Sequence, residues 1–160
     1  QRQLYIEIDT LRTAKPVPVT TPAEAIDSSS GAYAADTNEN EAYQNAVDLI
    51  LKKKDYAGAT KAFQDFVAAY PDSVYSSNAH YWLGQIFYNE QNWSQARNHF
   101  GTLYKQYPKS NKVPDATLKL GIIAKNLSDR AKAKEYFDSV LANHANTTSA
   151  KLAQEQINLL

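Results

Sequence analysis

Residues 92–108 read NWSQARNHFGTLYKQYP, and a shift of 37 positions either way lands on related copies, DYAGATKAFQDFVAAYP at 55–71 and DRAKAKEYFDSVLANHA at 129–145. Ala59, Ala96 and Ala133 then coincide, as do Phe63, Phe100 and Phe137, followed by Phe66, Leu103 and Val140. Pro71 and Pro108 close the first two copies. A small residue and an aromatic four positions apart share one side of a helix. A fixed period of this length marks stacked supersecondary units, none able to bury its apolar face alone. The functional question moves accordingly from catalysis toward recognition.

A second stretch upstream repeats with the same offset: Ala42, Ala79, Ala116 and Ala153 align, as do Ala46, Leu83, Leu120 and Ile157. The unit is therefore two helices. In YWLGQIFY at 81–88, Leu83, Ile86 and Phe87 recur at helical rather than alternating spacing. Asn92 followed by Gln95 predicts a capping box, with the Asn side chain accepting from a free backbone N–H and Gln reaching back. Asp55 and Ser128 are the expected equivalents. Tyr70-Pro71 and Tyr107-Pro108 end the second helix, because proline disfavours helical geometry in the residue before it. Pro114-Asp115 suits a first helical turn, where a missing N–H costs nothing. Gly84 and Gly121 each cost about 1 kcal/mol of helix propensity relative to alanine. Close packing of the second helix must offset that, with the three alanines as small contacts and the three phenylalanines filling the space between helices.

These residues resemble the tetratricopeptide repeat, whose pattern W-x2-L-G-x2-Y, A-x3-F, P is met in the second copy by His80, Leu83-Gly84, Phe87, Ala96, Phe100 and Pro108. His80 stands where the pattern has Trp. The third copy keeps Leu120-Gly121, Ala133 and Phe137, with Thr117, Ala124 and Ala145 at the remaining positions. The first has Tyr43, Ala46-Val47, Ile50, Ala59, Phe63 and Pro71. Each copy is longer than the usual ~34 residues, and the turns PDSVYSSNA and PKSNKVPDA are the natural place for the excess. The resemblance covers residues 41–160. It implies an all-α solenoid of three helix pairs, with a helix at 149–160 capping the last pair.

The chain carries 17 basic and 17 acidic residues, and no stripe of Lys or Arg recurs, which argues against nucleic acid as a partner. The densest run, Lys52-Lys53-Lys54, reads as cations complementing the carbonyls of a helix end, with a phosphate-binding patch as the alternative. The absence of cysteine excludes disulfides and thiolate chemistry and is compatible with both cytoplasm and periplasm. No apolar run approaches membrane-spanning length. The sequence starts at Gln1 with neither methionine nor a secretory signal, so it is expected to be processed or a fragment. His80, His99 and His144 are expected on different helix surfaces, with no pair at i, i+4, and no metal site is expected from them. With no nucleophile-elbow sequence and no glycine-rich phosphate loop, neither a catalytic residue nor a cofactor is expected.

The first 40 residues differ in character. Leu4, Ile8 and Leu11 follow the four-three spacing of a coiled-coil seam, with Gln1 one step earlier, so residues 1–12 read as the end of an oligomerising stalk. From 13 to 40 the sequence turns to Pro, Thr, Ser, Ala and Gly, including Pro16, Pro18, Pro22 and the tract Ser28-Ser29-Ser30-Gly31. That composition predicts a linker with a root-mean-square span on the order of 30 Å when flexible.

Stalk end, linker and three-repeat block in this order resemble the periplasmic YbgF family, also called cell division coordinator CpoB. The resemblance is carried by NAVDLILKKKDYAGATKAFQDFVAAYPDS, YWLGQIFYNEQNWSQARNHFGTLYKQYPKS and PDATLKLGIIAKNL. It implies a homotrimer formed through the coiled coil in the periplasm, and a repeat domain that binds TolA of the Tol-Pal system. It further implies an adaptor coordinating peptidoglycan synthesis with outer-membrane constriction during division, with a bifunctional peptidoglycan synthase as a further candidate partner. No catalytic residue comes with it.

In a tetratricopeptide stack the first helix of each pair lines the concave surface. The residues outside the packing pattern are expected to point into it: Asn78, Tyr81, Gln85 and Tyr88 on the middle helix, spaced three, four and three. The third contributes Asp115, Leu118, Ile122 and Lys125, and the first Glu41, Gln44, Asp48 and Leu51. Such a groove suits a peptide segment with apolar side chains and backbone groups to satisfy. Inter-repeat packing is the alternative role for Tyr81 and Tyr88. A second reading makes the aromatic and amide surface a carbohydrate-binding module that touches peptidoglycan through tyrosines stacked on sugar rings. Asp48 and Asp115 intruding beside Lys119 and Lys125 argue against a clamp for C-terminal carboxylates.

Overall fold

The computed structural model describes residues 37–160, so the stalk seam of Leu4, Ile8 and Leu11 and the linker up to residue 36 lie outside the described residues. The described residues form seven helices: α1 (Thr37–Leu51), α2 (Tyr56–Ala69), α3 (Ser76–Asn89), α4 (Trp93–Gln106), α5 (Val113–Asn126), α6 (Arg130–Asn143) and α7 (Thr148–Asn158). They contain no strand. Helices α1/α2, α3/α4 and α5/α6 pack as antiparallel pairs, successive pairs touch, and α7 leans on both α5 and α6 as the cap of the stack. Residues 37–40, linker-like by composition, are the first turn of α1. There Glu39 is buried and accepts a hydrogen bond from Ser73 Oγ at 2.9 Å.

The core is built from the repeating positions. Ala59, Ala96, Ala133, Phe63, Phe100, Phe137, Leu103 and Val140 are all fully buried. The two helical glycines find their reason here: a Cβ on Gly84 would lie 2.6 Å from Cε1 of Phe100, and one on Gly121 would collide with the ring of Phe137. The missing Cβ lets each phenylalanine ring lie directly against the backbone of the facing helix, and that contact offsets the propensity cost of the glycine. The first copy solves the same problem with rings. Tyr43 stacks on Tyr75 at 4.6 Å and sets its edge to Phe63 and Phe66, while Phe63 stacks against Trp82.

Each pair is joined by the same turn. Asp55, Asn92 and Asp129 are the N-caps of α2, α4 and α6, accepting from the N–H groups of Gly58, Gln95 and Lys132. The third cap is thus Asp129 rather than Ser128. Ser128 instead holds φ 65°, as Gln91 holds 58° and Lys54 holds 56°. In the second and third copies this left-handed residue completes a Schellman closure: Asn92 N–H donates to Phe87 O and Gln91 N–H to Tyr88 O, then Asp129 to Ala124 and Ser128 to Lys125. The reciprocal arm of the capping box has no use for the Asn92 N–H, which the Phe87 carbonyl already takes. Between pairs, Ser73 and Ser110 are buried and their hydroxyls accept from the N–H groups of Tyr75 and Lys112. Thr147 repeats the position and caps α7 by accepting from Ala150 N.

Candidate functional site

The first helix of each pair, α1, α3 and α5, carries the residues expected to line the binding surface, and they fall at three different depths. Tyr81 is buried: its hydroxyl donates to Asp115 Oδ2 at 2.6 Å and accepts from Gln85 Nε2 at 3.1 Å, tying α3 to α5. The Tyr81 ring sets its edge against Phe100, and Lys112 Nζ lies 5.0 Å from its centroid. Gln85 is buried beside it, with Oε1 lacking a hydrogen-bond partner. Asn78 and Leu118 are also interior, Asn78 bonded to the Tyr43 hydroxyl. Burial pushes the Tyr43 phenol up to about 12, so it stays a neutral donor and acceptor for Trp82 and Asn78.

Tyr88 is half-buried, edge-on to Trp93 at 5.5 Å and to Phe100 at 6.5 Å, with Lys119 Nζ 4.6 Å from its ring centroid. Lys119 itself is buried, its stem packed and its ammonium on the ring face. Asp115, Ile122 and Lys125 are half-buried, and Lys125 Nζ donates to Gln156 Oε1 of α7 at 3.1 Å. On α1, Glu41, Gln44 and Leu51 are exposed, and Asp48 pairs with Lys52 at 2.8 Å in an exposed i, i+4 bridge. The structure therefore joins Tyr81, Gln85 and Asp115 in one inter-repeat network. It leaves Gln44, Leu51, Tyr88, Ile122 and Lys125 with surface to offer.

One grouping escaped the sequence reading. His80 on α3 and His99 on α4, expected on separate surfaces, face each other with Nδ1 atoms 3.1 Å apart. The His99 ring stacks on Phe87 at an interplanar 6°, and Tyr107 tilts against His80. Burial first, then the neighbouring His99, hold His80 down to about 4, and burial lowers His99 as well. The signal was present: His80 occupies the core position held by Tyr43 and Thr117 in the other copies. Among the described residues no cluster of three or more His, Cys, Asp or Glu is placed to hold a metal ion. None of the described helices is long and apolar enough to cross a membrane.

The repeated helix pair, the Gly-to-Phe contacts and the capped turns define a tetratricopeptide-repeat solenoid. The tetratricopeptide repeat family matches residues 41–73, 78–110 and 115–147, more than half of the chain, and the chain belongs to that family. It is similar to Cell division coordinator CpoB of Escherichia coli (strain K12), 35% identical over 103 residues that make up 56% of this chain and 39% of that protein. The protein of the same name from Pseudomonas putida (strain KT2440) is 50% identical over 44 residues, 28% of this chain and 16% of that protein. Repeats and relatives together support the CpoB/YbgF family. The chain spans well under half the length of these relatives.

Proposed function

We propose that this protein is a non-catalytic, periplasmic adaptor of cell division whose repeat domain docks a segment of TolA. In this role it coordinates peptidoglycan synthesis with outer-membrane constriction, with a bifunctional peptidoglycan synthase as a second partner. The observation that supports a protein segment as ligand is the sorting of the α1, α3 and α5 residues by depth. Tyr81, Gln85 and Asp115 serve the stack, while Leu51, Tyr88 and Ile122, together with Gln44 and Lys125, form a mostly uncharged outer row. Apolar groups flanked by polar ones are the usual anchors for a segment lying along a groove.

The test places charge on that row without touching the network. Leu51→Asp combined with Ile122→Asp is expected to weaken binding of TolA fragments at least tenfold, about 1.4 kcal/mol, with helical content retained. Full TolA affinity in the folded double variant would remove this face from consideration. Tyr81→Ala is the contrasting change. It breaks the bonds to Asp115 and Gln85 and is expected to show chiefly as lost stability.

Assembly is assigned to the stalk and not to the repeats. Residues 37–160 alone are expected to run as a monomer in light scattering, and a chain carrying the complete stalk as a trimer. A stable trimer of the repeat block by itself would place the assembly element among the helices.

A further inference from the structure

We propose that the mouth of the middle repeat is a binding subsite for a neutral oligosaccharide bearing acetamido groups. At the junction of the α3 C-terminus, the turn into α4 and the α5 C-terminus lies a pocket of about 430 Å³, lined by Tyr88, Asn89, Gln91, Trp93 and Asn126. Its size falls within the ordinary range for small-ligand sites. Its lining is three carboxamides and two aromatic rings, with no ionised side chain.

The chain supplies its own comparison. At the positions of Tyr88, Asn89, Gln91 and Trp93, the first copy has Leu51, Lys52, Lys54 and Tyr56, and the third has Lys125, Asn126, Ser128 and Arg130. All three copies make the same left-handed turn, so the fold accepts Lys, Gln or Ser there and does not require an amide. The flanking mouths carry lysines and an arginine. The middle one alone combines amides with a tryptophan. This difference is chemical and not architectural, and it disfavours an anionic ligand, which would find basic lining residues at the other mouths, whereas here the neighbouring cation, Lys119, is held on the Tyr88 ring.

The side chains also divide the work. Asn89 Nδ2 is committed to the Gln85 carbonyl at 2.8 Å, which leaves its Oδ1 as the acceptor it offers. Gln91 and Asn126 are exposed, and their carboxamides make no hydrogen bond within the described residues. A carboxamide presents one acceptor beside its donors, so it pairs reciprocally with the N–H and C=O of an acetamido group. Tyr88 has its ring engaged by Lys119, Phe100 and Trp93, whereas Trp93 is half-buried and stands nearly perpendicular to Tyr88. The remaining surface of Trp93 is the apolar wall against which the C–H face of a pyranose packs, while its hydroxyls and acetamido groups reach the amides. This subsite shares Tyr88 with the protein-segment reading, but its polar residues Asn89, Gln91 and Asn126 do not belong to that row, and the Leu51 and Ile122 changes that test the row lie outside the pocket lining.

The experiment is a titration of the full 160-residue chain with tri-N-acetylchitotriose and, in parallel, with cellotriose, followed by two-dimensional NMR of side-chain amides and the indole N–H. Chitotriose is expected to shift the side-chain signals of Asn89, Gln91, Asn126 and Trp93 together. Gln91→Gly with Asn126→Ala is expected to weaken that binding by at least about fivefold, the loss of roughly one hydrogen bond. Glycine keeps the left-handed turn at residue 91, so a lowered affinity in this variant is not a loss of fold. No shift of these four signals at saturating sugar overturns the proposal, as does unchanged affinity in the folded double variant. Equal binding of cellotriose overturns the acetamido assignment.

Discussion

His80 and His99 show how one residue contact makes the domain sensitive to acid. Their Nδ1 atoms are 3.1 Å apart, so one ring donates to the other and both cannot carry an extra proton without a bare repulsion in a largely dry site. His80 titrates near 6.5 in the unfolded chain and at about 4 in the fold. Between those values the unfolded chain binds more protons, so stability falls as pH drops from about 6.5 toward 4 and is complete above 6.5. The loss is on the order of 3 kcal/mol. The exposed i, i+4 and i, i+3 ion pairs, such as Lys61 with Asp65, add little to this slope. Urea unfolding of the wild type and of His80→Phe at pH 7 and pH 4.5 checks it. A wild-type midpoint that does not fall, or a variant that falls as steeply, means the pair does not govern acid stability. Tyr81 teaches a related lesson. Helical spacing puts it on one face with Asn78, Gln85 and Tyr88, but spacing is an angle about an axis. Depth is set by α5, which brings Asp115 over the Tyr81 hydroxyl, and by Phe100 beneath it. Which neighbour covers a face is a tertiary fact that no periodicity within one helix carries.

At the scale of elements, the helices and their order were legible because several local signals agree: Asp or Asn before each second helix, Pro after the first two, and an alanine four residues before each phenylalanine. The turn between paired helices was not, since nothing in Lys54, Gln91 or Ser128 announces a left-handed backbone. Glycine or asparagine would have. The conformation is imposed by the Schellman hydrogen bonds and by the cap that follows, and an L-residue there gives up about 1–2 kcal/mol. Ser128→Gly is therefore expected to stabilise the domain by about 0.5–1 kcal/mol, the strain relieved less the added freedom of the unfolded chain. Ser128→Val is expected to destabilise it, because a β-branched residue tolerates positive φ worst. Paired thermal melts give the sign of both changes. A destabilising glycine would mean that the Ser128 side chain contributes more than its backbone costs.

For the molecule as a whole, the consequence of stacking is that Phe100 belongs to more than its own helix. It is fully buried on α4, fills the space that Gly84 leaves on α3, and takes the edges of both Tyr81 and Tyr88, the first of which is bonded to α5. One ring thereby couples the middle pair to the third. The core is also divided. One cluster runs from Tyr43 through Phe63 and Phe100 to Ile123, and a smaller one gathers Leu118, Ala133, Phe137, Val140, Ala150 and Ala153 around the cap. Phe100→Ala removes roughly 3–5 kcal/mol from the first cluster. In a stack held by nearest-neighbour interfaces, weakening the middle interface also lets the ends unfold separately. The expected result is a lower melting midpoint with a broadened transition, and hydrogen exchange that quickens in α3 and α4 while α6 and α7 keep more of their protection. A sharp single transition at a lower temperature would mean that the two clusters act as one unit. An unchanged midpoint would put Phe100 outside the core and dismantle the register of the repeats.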